Sequence, residues 1–394
     1  MNPIGIGIAG AGHVADIHAR VYHELAGLGV KLVGVVAQSK ANADKFAAHH
    51  GVERAVADFT ELLQLDGVDI IDICAPNRFH RDFALQAARM GKHIICEKPL
   101  TGYFGLGEAK VGHTSRRQML AAALHDADQM VTVAAEHKIK LMYAENWLYS
   151  PVIQKAKRLI RTSGGTIFQL CGEESHHGSH SSAAKSWRNS GGGALIRLGS
   201  HPIGAILHLK QCEGIWRDGK PITPQTVLAD VANLTEIESF RQSDPKWVVN
   251  DWDDVENWSQ VTITFSDGSK GVVAANDICI GGMKDTLDIY LSNARMHCDF
   301  SRTNTLQAYA PDATVFEGEY LMEKLETQAG WSFPSVDEEW FLGYRWELQD
   351  FVEAVKFDRE PLADGRLGRD VVNVIYSAYL SAAEGRLVRL DQPD

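Results

Sequence analysis

The sequence predicts an α/β fold in two domains, a doubly wound parallel sheet followed by an α+β domain with a mostly antiparallel sheet. Three observations support this prediction. Short apolar runs alternate with helix-like segments in the first half, a glycine-rich turn follows the first run, and the second half contains alternating strand patterns separated by turns. Strand–helix alternation of this kind implies right-handed crossovers and therefore a parallel sheet.

The first domain is predicted over residues 1–148. Its apolar runs show little alternation, which is typical of strands covered on both faces. The predicted strands are residues 4–9, 31–37, 70–75, 93–96 and 140–145, and the predicted helices are 15–28, 41–50 and 79–91.

The second domain is predicted over residues 149–394. Ser266-Asp267-Gly268 lies between two alternating segments and is a strong hairpin signal. The expected strands are 166–171, 260–265, 270–275 and 288–291, and the expected helices are 150–161, 338–355 and 369–385.

The composition excludes several classes of protein. A formal net charge of −12 over 394 residues argues against nucleic acid or an anionic membrane as a partner. No apolar stretch reaches the roughly 18 residues of a membrane span, and no signal-peptide pattern opens the chain. The six cysteines are scattered, so we expect reduced thiols, no metal site and a cytoplasmic location.

A dinucleotide-binding turn is predicted where GAGHVA follows the first strand and opens a helix at residues 10–15. Gly10 permits the tight turn, Gly12 lets the backbone approach a pyrophosphate, and Ala15 lets the helix pack close to the sheet. The phosphates of NAD or NADP would lie at the helix N-terminus, where the residues are His13 and Val14.

The choice between NAD and NADP is left open by the end of the second strand. An acid normally binds the ribose 2′-hydroxyl of NAD there, but this segment reads Ala37-Gln38-Ser39-Lys40. Ser39 and Lys40 could receive the 2′-phosphate of NADP. Alternatively, Lys40 is a solvated residue at the start of the next helix.

A lysine is predicted at the ligand-binding edge of the parallel sheet. Glu97-Lys98-Pro99-Leu100 follows a predicted strand, and the proline disfavours helical backbone at Lys98. Lys98 would therefore lie at the carboxyl end of that strand, where doubly wound sheets bind ligands. There it could hydrogen-bond a reacting hydroxyl and share its proton.

These motifs together resemble the glucose–fructose oxidoreductase / inositol dehydrogenase / MocA (Gfo/Idh/MocA) family. The matching segments are GAGHVA (10–15), APNRFH (75–80), GKHIICEKPL (91–100), NWLYSP (146–151) and WRNSGGGALIRLGSHPIG (187–204). The resemblance implies a Rossmann domain, a second domain with a large open sheet, and NAD(P)-linked chemistry on sugars, inositols or related polyols. It also implies a homodimer or homotetramer.

The resemblance assigns roles to individual residues. Lys98 would contact the reacting hydroxyl, and His201 matches the family's usual proton acceptor. The cofactor would also be bound near the nicotinamide ribose by the loop and turn residues Ala75, Pro76, Asn77, His80 and Glu97.

One position departs from the family pattern. Arg197 stands where the family usually has an aspartate near His201, and the two residues are four apart, which would put them on one helical face. A guanidinium can bind a carboxylate, sulfonate or phosphate in bidentate fashion, so an anionic or strongly polar substrate group is expected. Alternatively, Arg197 pairs with a nearby acid such as Glu173 or Glu174.

Further substrate-binding residues are expected around the same cleft. Residues 173–180 carry three histidines and two carboxylates and are interpreted as a loop that lines the substrate, with a plain surface loop or a metal site as alternatives. The complete set of substrate-binding candidates is Lys98, Glu145, His176, His180, Trp187, Arg188, Arg197 and His201.

Three functions are compatible with these residues. The first is a dehydrogenase that moves hydride between NAD(P) and a secondary alcohol or ketone carbon of a sugar, sugar derivative or cyclitol. The second, which also exists in the superfamily, is a glycoside hydrolase that oxidises transiently and eliminates the aglycone. The third is a non-enzymatic sensor of cofactor or sugar, against which the retention of Lys98 and His201 argues.

Overall fold

The first half of the chain forms a six-stranded parallel sheet. The computed structural model describes residues 3–301 and 306–390. The strands are β1 (Ile4–Ala9), β2 (Val30–Val36), β3 (Arg54–Ala55), β4 (Ile70–Ile73), β5 (His93–Glu97) and β6 (Leu141–Ala144), in the spatial order β3-β2-β1-β4-β5-β6. The helices between them are α1 (His13–Glu24), α2 (Lys40–His50), α3 (Phe59–Gln64), α4 (His80–Arg89) and α5 (Arg116–Glu136). The predicted doubly wound sheet is confirmed.

The strand order reverses between β1 and β4, which creates the crevice where such sheets bind ligands. The turn from β1 into α1 opens at this crevice. The apolar strand interiors, such as Ile6, Ile8 and Ile71, are completely buried. A rigid layer therefore fixes the positions of the loops at its carboxyl edge.

The second half forms a seven-stranded mixed sheet. Its strands are β7 (Ile167–Ser175), β8 (Pro224–Ala232), β9 (Trp258–Phe265), β10 (Lys270–Asn276), β11 (Lys284–Leu291), β12 (Arg295–Asp299) and, near the C-terminus, β15 (Val388–Arg389). The order is β12-β11-β7-β10-β9-β8-β15, and only the β7–β10 pair of this sheet is parallel among the described residues. A separate antiparallel pair is formed by β13 (Ala308–Ala310) and β14 (Gly330–Ser332).

The hairpin predicted at Ser266-Asp267-Gly268 joins β9 to β10. Gly268 has φ +86°, a left-handed conformation that glycine adopts without steric cost. The interpretation of residues 173–180 as a loop is wrong at its beginning, because β7 continues through Ser175. Pairing with β10 on one side and β11 on the other extends the strand over these polar residues.

The helices of the second half are α6 (Pro151–Ser163), α7 (Trp187–Ser190), α8 (Ala194–Arg197), α9 (Ser200–Asp218), α10 (Glu238–Arg241), α11 (Glu338–Leu342), α12 (Tyr344–Lys356) and α13 (Gly365–Glu384). The single helix expected at 338–355 is interrupted at Gly343, which has φ +97°. A Cβ at Gly343 would lie 2.4 Å from the carbonyl oxygen of Asn146. The close approach of this backbone explains the break.

The last long helix returns to the first sheet's side of the molecule. Arg369 on α13 donates to Asp128 on α5 over 2.9 Å, and the Tyr143 N–H donates to the Ala363 carbonyl over 3.1 Å. The domain division at residues 148 and 149 and the homo-oligomer stay predictions. None of the six cysteines, all in the described part of the chain, forms a disulfide, and no described helix is long and apolar enough to cross a membrane.

Candidate active site

A cleft of about 1090 Å³ lies between the carboxyl edge of the parallel sheet and residues of the second sheet. The β1–α1 turn contributes His13 and Val14, and β5 contributes Glu97 followed by Lys98. The opposite wall includes Glu174 of β7. The fold therefore brings the predicted cofactor turn and the predicted substrate residues to one cavity.

The β1–α1 turn fits a dinucleotide pyrophosphate. Gly10 has φ +133°, and a Cβ there would lie 2.5 Å from the Cys74 carbonyl oxygen, so only glycine fits. Gly12 caps α1, and a Cβ built on it would meet nothing within 4 Å. Open space thus lies in front of a helix N-terminus, whose free N–H groups and dipole favour an anion.

The predicted nicotinamide-side residues meet at the same edge. Ala75, Pro76, Asn77 and His80 line the cleft. His80 is buried and contacts two carbonyl oxygens, those of Pro99 and Ala75, at 2.9 Å each. It therefore ties the loop after β4 to the turn after β5. Burial lowers the pKa of His80.

The two candidates for the adenosine ribose lie at the start of α2. Ser39 caps the helix, and its hydroxyl accepts from the Asn42 N–H. Lys40 is exposed and pairs with Asp44 one turn further along. This arrangement favours the interpretation of Lys40 as a solvated helix-start residue over a 2′-phosphate contact.

The two predicted catalytic residues both line the cleft. Lys98 is half-buried, and its Nζ donates to the Arg197 carbonyl oxygen over 2.7 Å. His201, in the first turn of α9, is buried and lines the same cavity. The Trp147 ring stacks on the imidazole with centroids 5.7 Å apart and an interplanar angle of 12°. This packing fixes the orientation of the ring.

A carboxylate holds the inner side of His201. Nδ1 of His201 lies 2.5 Å from Oε1 of Glu145, which follows β6 and is completely buried. A Cβ at Gly204 would lie 2.9 Å from Cγ of Glu145, so the glycine in α9 leaves room for this side chain. When Nδ1 donates to the carboxylate, Nε2 is left as an acceptor.

The environment keeps His201 neutral. Burial lowers its pKa below the ordinary value of 6.5, Glu145 opposes this shift, and the Lys98 ammonium adds to it. A neutral imidazole with a free Nε2 can accept a proton from a substrate hydroxyl.

Comparisons with known proteins agree with this geometry. Residues 4–111 match the family GFO_IDH_MocA, described as an oxidoreductase family with an NAD-binding Rossmann fold. The chain is 26% identical to levoglucosan dehydrogenase of Pseudarthrobacter phenanthrenivorans over 79% of this chain and 78% of that protein. It is 21% identical to myo-inositol 2-dehydrogenase of Thermotoga maritima over 98% of both chains.

The chain is thus similar to oxidoreductases of this family, in its first 111 residues by the family model and over most of its length by these two relatives. Among solved structures, GenD2 from gentamicin A biosynthesis, in complex with NAD, superposes with a TM-score of 0.79 and 25% identity over 100% of this chain and 97% of that one. The chain is an NAD(P)-dependent oxidoreductase.

Arg197, which stands where the family usually has an aspartate, forms a salt bridge with a buried acid. Its Nη2 forms a salt bridge with Asp277, which is completely buried, and its guanidinium lies 5.3 Å from the Trp252 ring centroid. The partner is thus neither Glu173, which binds Lys284 at 2.6 Å, nor Glu174. Arg197 also lines the cleft, so the pairing with Asp277 agrees with the alternative of an acid partner, and the anionic substrate group stays a prediction.

Arg197 and His201 also do not share one helix. Arg197 ends α8, and α9 begins at Ser200, with the break at Leu198 and Gly199. A Cβ at Gly199 would lie 2.5 Å from the Leu195 carbonyl oxygen. The chain therefore turns too tightly at this glycine for one continuous helix.

The remaining substrate candidates are divided between the cleft and the outside. His176 lines the cleft, and its Nδ1 accepts from the Gly178 N–H over 2.8 Å. His180 is exposed and Arg188 points to the Glu108 carbonyl, so neither contributes to the cleft wall. Trp187 is buried behind the wall, with its ring 4.8 Å from that of Tyr379.

Several residues of the cleft had no signal in the local sequence. Asp277 directly follows β10, and Asp285 lies at the start of β11. Neither strand has an unusual sequence pattern, so the positions of the two residues become visible only when the strands pair. The segment around Glu323 and the ring of Tyr344 also line the cavity from the far end of the chain. Spacing along a sequence cannot indicate contacts across more than a hundred residues.

Proposed function

We propose that the protein oxidises a secondary hydroxyl of a sugar, sugar derivative or cyclitol, or reduces the corresponding ketone. The observation that carries the proposal is the carboxylate–histidine pair of Glu145 and His201, in which the buried Glu145 lies behind His201 and His201 lines the same cleft as Lys98. The names of relatives, a levoglucosan dehydrogenase and a myo-inositol 2-dehydrogenase, support a polyhydroxylated substrate.

The residues have separate tasks in this reaction. The chemistry that NAD(P) supplies when bound is hydride transfer at the substrate carbon. Nε2 of His201 accepts the hydroxyl proton, and Glu145 stabilises the imidazolium that results. The Lys98 ammonium donates a hydrogen bond to the same oxygen, which favours its developing negative charge.

The Glu145–His201 pair also bears on the transient-oxidation alternative. That alternative gained interest because Arg197 replaces the family's acid. Since Glu145 supplies a carboxylate to His201 from another element, the proton acceptor is oriented as a dehydrogenase requires. Because both reactions begin with this oxidation and need the same base, we favour net hydride transfer on the ground that the similar proteins are named dehydrogenases.

The proposal is tested with a panel of sugars, cyclitols and aryl glycosides, assayed with NAD and with NADP. Formation of reduced cofactor and release of aglycone are followed together. We expect reduced cofactor in proportion to oxidised product, and Lys98→Met should lower kcat by about a hundredfold or more. Lys155→Met, an exposed lysine on α6, serves as the matched control. Aglycone release without net reduced cofactor, or no turnover of any compound, would refute the proposal.

A further inference from the structure

Two acidic residues form one patch of the cleft wall. Glu174 in β7 and Asp285 in β11 are directly opposite each other in the antiparallel pair of these strands. Both line the cleft, and their residues are only 5% and 3% exposed. Like charges directly opposite on neighbouring strands destabilise a sheet, so this arrangement has a cost in the absence of a partner.

Neither carboxylate is satisfied by the protein. Oε2 of Glu174 and Oδ1 of Asp285 are buried and accept no hydrogen bond from the described residues. Oε2 of Glu174 lies 3.9 Å from Nε2 of His201, beyond hydrogen-bond distance. Burial raises the pKa of both carboxyl groups; Asp285 raises that of Glu174 further, and Glu323 that of Asp285, while Lys98 opposes both shifts.

A metal ion does not explain the pair. In the described part of the chain, three potential metal ligands come together at Asp16, His49 and His50, and at His18, Asp72 and Cys74. Glu174 and Asp285 belong to neither group. A divalent cation would need at least one more ligand close to them than the structure provides.

The surrounding charges make this wall acidic. Lys98 is the cation that lowers the pKa of both carboxyl groups, Lys324 also lines the cavity, and Arg197 is bound to Asp277. Lys98 is directed to the Arg197 carbonyl oxygen. Glu323 adds a third carboxylate to the same cavity. An ammonium group has three donors for these unpartnered oxygens, and its positive charge would favour the ionised form of both carboxyl groups.

We propose that the substrate carries a protonated amino group that binds between Glu174 and Asp285. The proposal rests on the proposed function and names its substrate class, an amino sugar or aminocyclitol. Because Glu174 lies 3.9 Å from the proton-accepting Nε2 of His201, the amine belongs on a carbon adjacent to the reacting carbon or one further along.

The test compares each amine with its neutral parent. Probes are D-glucosamine, 3-amino-3-deoxy-D-glucose and scyllo-inosamine, with D-glucose, scyllo-inositol and the N-acetylated amines. Turnover and the melting temperature of the cofactor-bound protein are both measured at pH 7. We expect kcat/KM for at least one amine to be about tenfold or more above that for its neutral parent. N-acetylation of the amine should abolish this difference in kcat/KM.

The outcomes separate this inference from the proposed function. Parents oxidised at least as well as every amine would overturn the inference and leave the function standing. Amines that raise the melting temperature without turnover would support the inference and overturn the function. If no compound is oxidised and none stabilises the protein, both are overturned.

Charge-removing variants locate the effect. Glu174→Gln and Asp285→Asn should each raise KM for the preferred amine about tenfold or more and leave KM for a neutral parent within about threefold. Glu317→Gln removes an exposed carboxylate that does not line the cleft and should keep the preference. Equal losses for amine and parent in either acidic variant would show a merely structural role and contradict the proposal.

Discussion

The side chain of His201 depends on one carboxylate for its orientation. Nδ1 is bound to Glu145, and the Trp147 ring covers one face of the imidazole. The hydrogen bond selects the tautomer in which Nε2 can accept a proton. The two residues should therefore act as one unit.

Glu145→Gln tests this coupling. The amide can present an N–H to Nδ1 and so favour the wrong tautomer, and it cannot stabilise the imidazolium. We expect kcat to fall about 10²- to 10⁴-fold with a much smaller change in KM, as for the analogous change in a serine-protease triad. Steady-state kinetics on the best substrate measure this, and circular dichroism checks the fold. A kcat within about threefold of the native value would show that Glu145 does not orient the base.

The pH dependence of activity follows from the lowered pKa of His201. The proton acceptor must be neutral, so activity is present above its pKa in the folded enzyme and is lost as the pH falls through that value. Because burial places this pKa below 6.5, the acid limb of kcat/KM should have its midpoint below 6.5. A pH–rate profile at constant ionic strength measures the midpoint. A midpoint at or above 6.5 would contradict the assignment.

Sequence reasoning named the candidate reacting residues, but their pairing becomes visible only in the structure. Lys98 and His201 lie in short motifs, and the structure brings both to the cleft. The partner of Arg197 was sought among nearby residues and is Asp277, 80 residues further along. A charge on a motif residue indicates the need for a partner, but only the paired strands determine which residue supplies it.

At the scale of single elements, the N-terminus of α1 carries the cofactor prediction. A Cβ built on Gly12 would meet no neighbour within 4 Å, so the space in front of this helix N-terminus is open. The fold does not need this glycine for packing. The space is therefore available to a ligand.

Gly12→Glu tests the role of this space. A glutamate there places a negative charge and a side chain at the helix N-terminus, so we expect the Kd of the reduced cofactor to rise about tenfold or more. Gly27→Glu is the matched control, since a Cβ there also meets nothing within 4 Å. Fluorescence titration measures Kd, and the melting temperatures of the two variants should agree. Equal cofactor affinity in both variants would contradict the assignment of the turn.

The elements predicted from periodicity were largely confirmed, and the misplaced boundaries have physical causes. The apolar runs of β1 and β4 and the hairpin between β9 and β10 were recognisable because side-chain pattern and turn residues agree there. The polar end of β7 was not recognisable as a strand, because its stability comes from pairing with two neighbouring strands. Propensity alone favours a loop for that segment.

At the scale of the whole molecule, one buried acid should make the stability of the fold depend on pH. Glu347 on α12 is completely buried, and neither carboxyl oxygen has a hydrogen-bond partner among the described residues. Burial raises the pKa of Glu347 well above its ordinary value of 4.5, and the Glu97 carboxylate raises it further. Glu347 is therefore protonated in the folded protein under conditions where it ionises in the unfolded chain.

This difference makes Glu347 a source of pH-dependent stability. For a group whose pKa is raised on folding, stability is fully present below pH 4.5 and is lost as the pH rises towards the folded pKa. Glu347→Gln removes this loss. The free energy of unfolding of the variant minus that of the native protein should therefore increase with pH, by at most about 1.4 kcal/mol per pH unit. Urea unfolding from pH 5 to 8 measures this, with exposed Glu360→Gln as control. A difference that does not grow with pH would contradict it.

The overall architecture was predictable, but the full shape of the cleft was not. Strand–helix alternation and the glycine turn together determine where a cofactor binds in a parallel sheet. The substrate wall, in contrast, combines β7, β11 and residues near positions 319–344, which no local pattern connects. This is why the sequence suggested an anionic substrate from Arg197 alone, whereas the assembled wall contains unpaired carboxylates.

The most direct test of the proposed chemistry is the effect of His201→Gln on kcat/KM, with cofactor affinity measured on the same protein. If His201 accepts the substrate proton, kcat/KM falls about 10²- to 10⁴-fold while the cofactor Kd stays within about threefold. The exposed His125→Gln on α5 should change neither quantity. A His201→Gln enzyme that retains kcat/KM within tenfold would contradict the assignment.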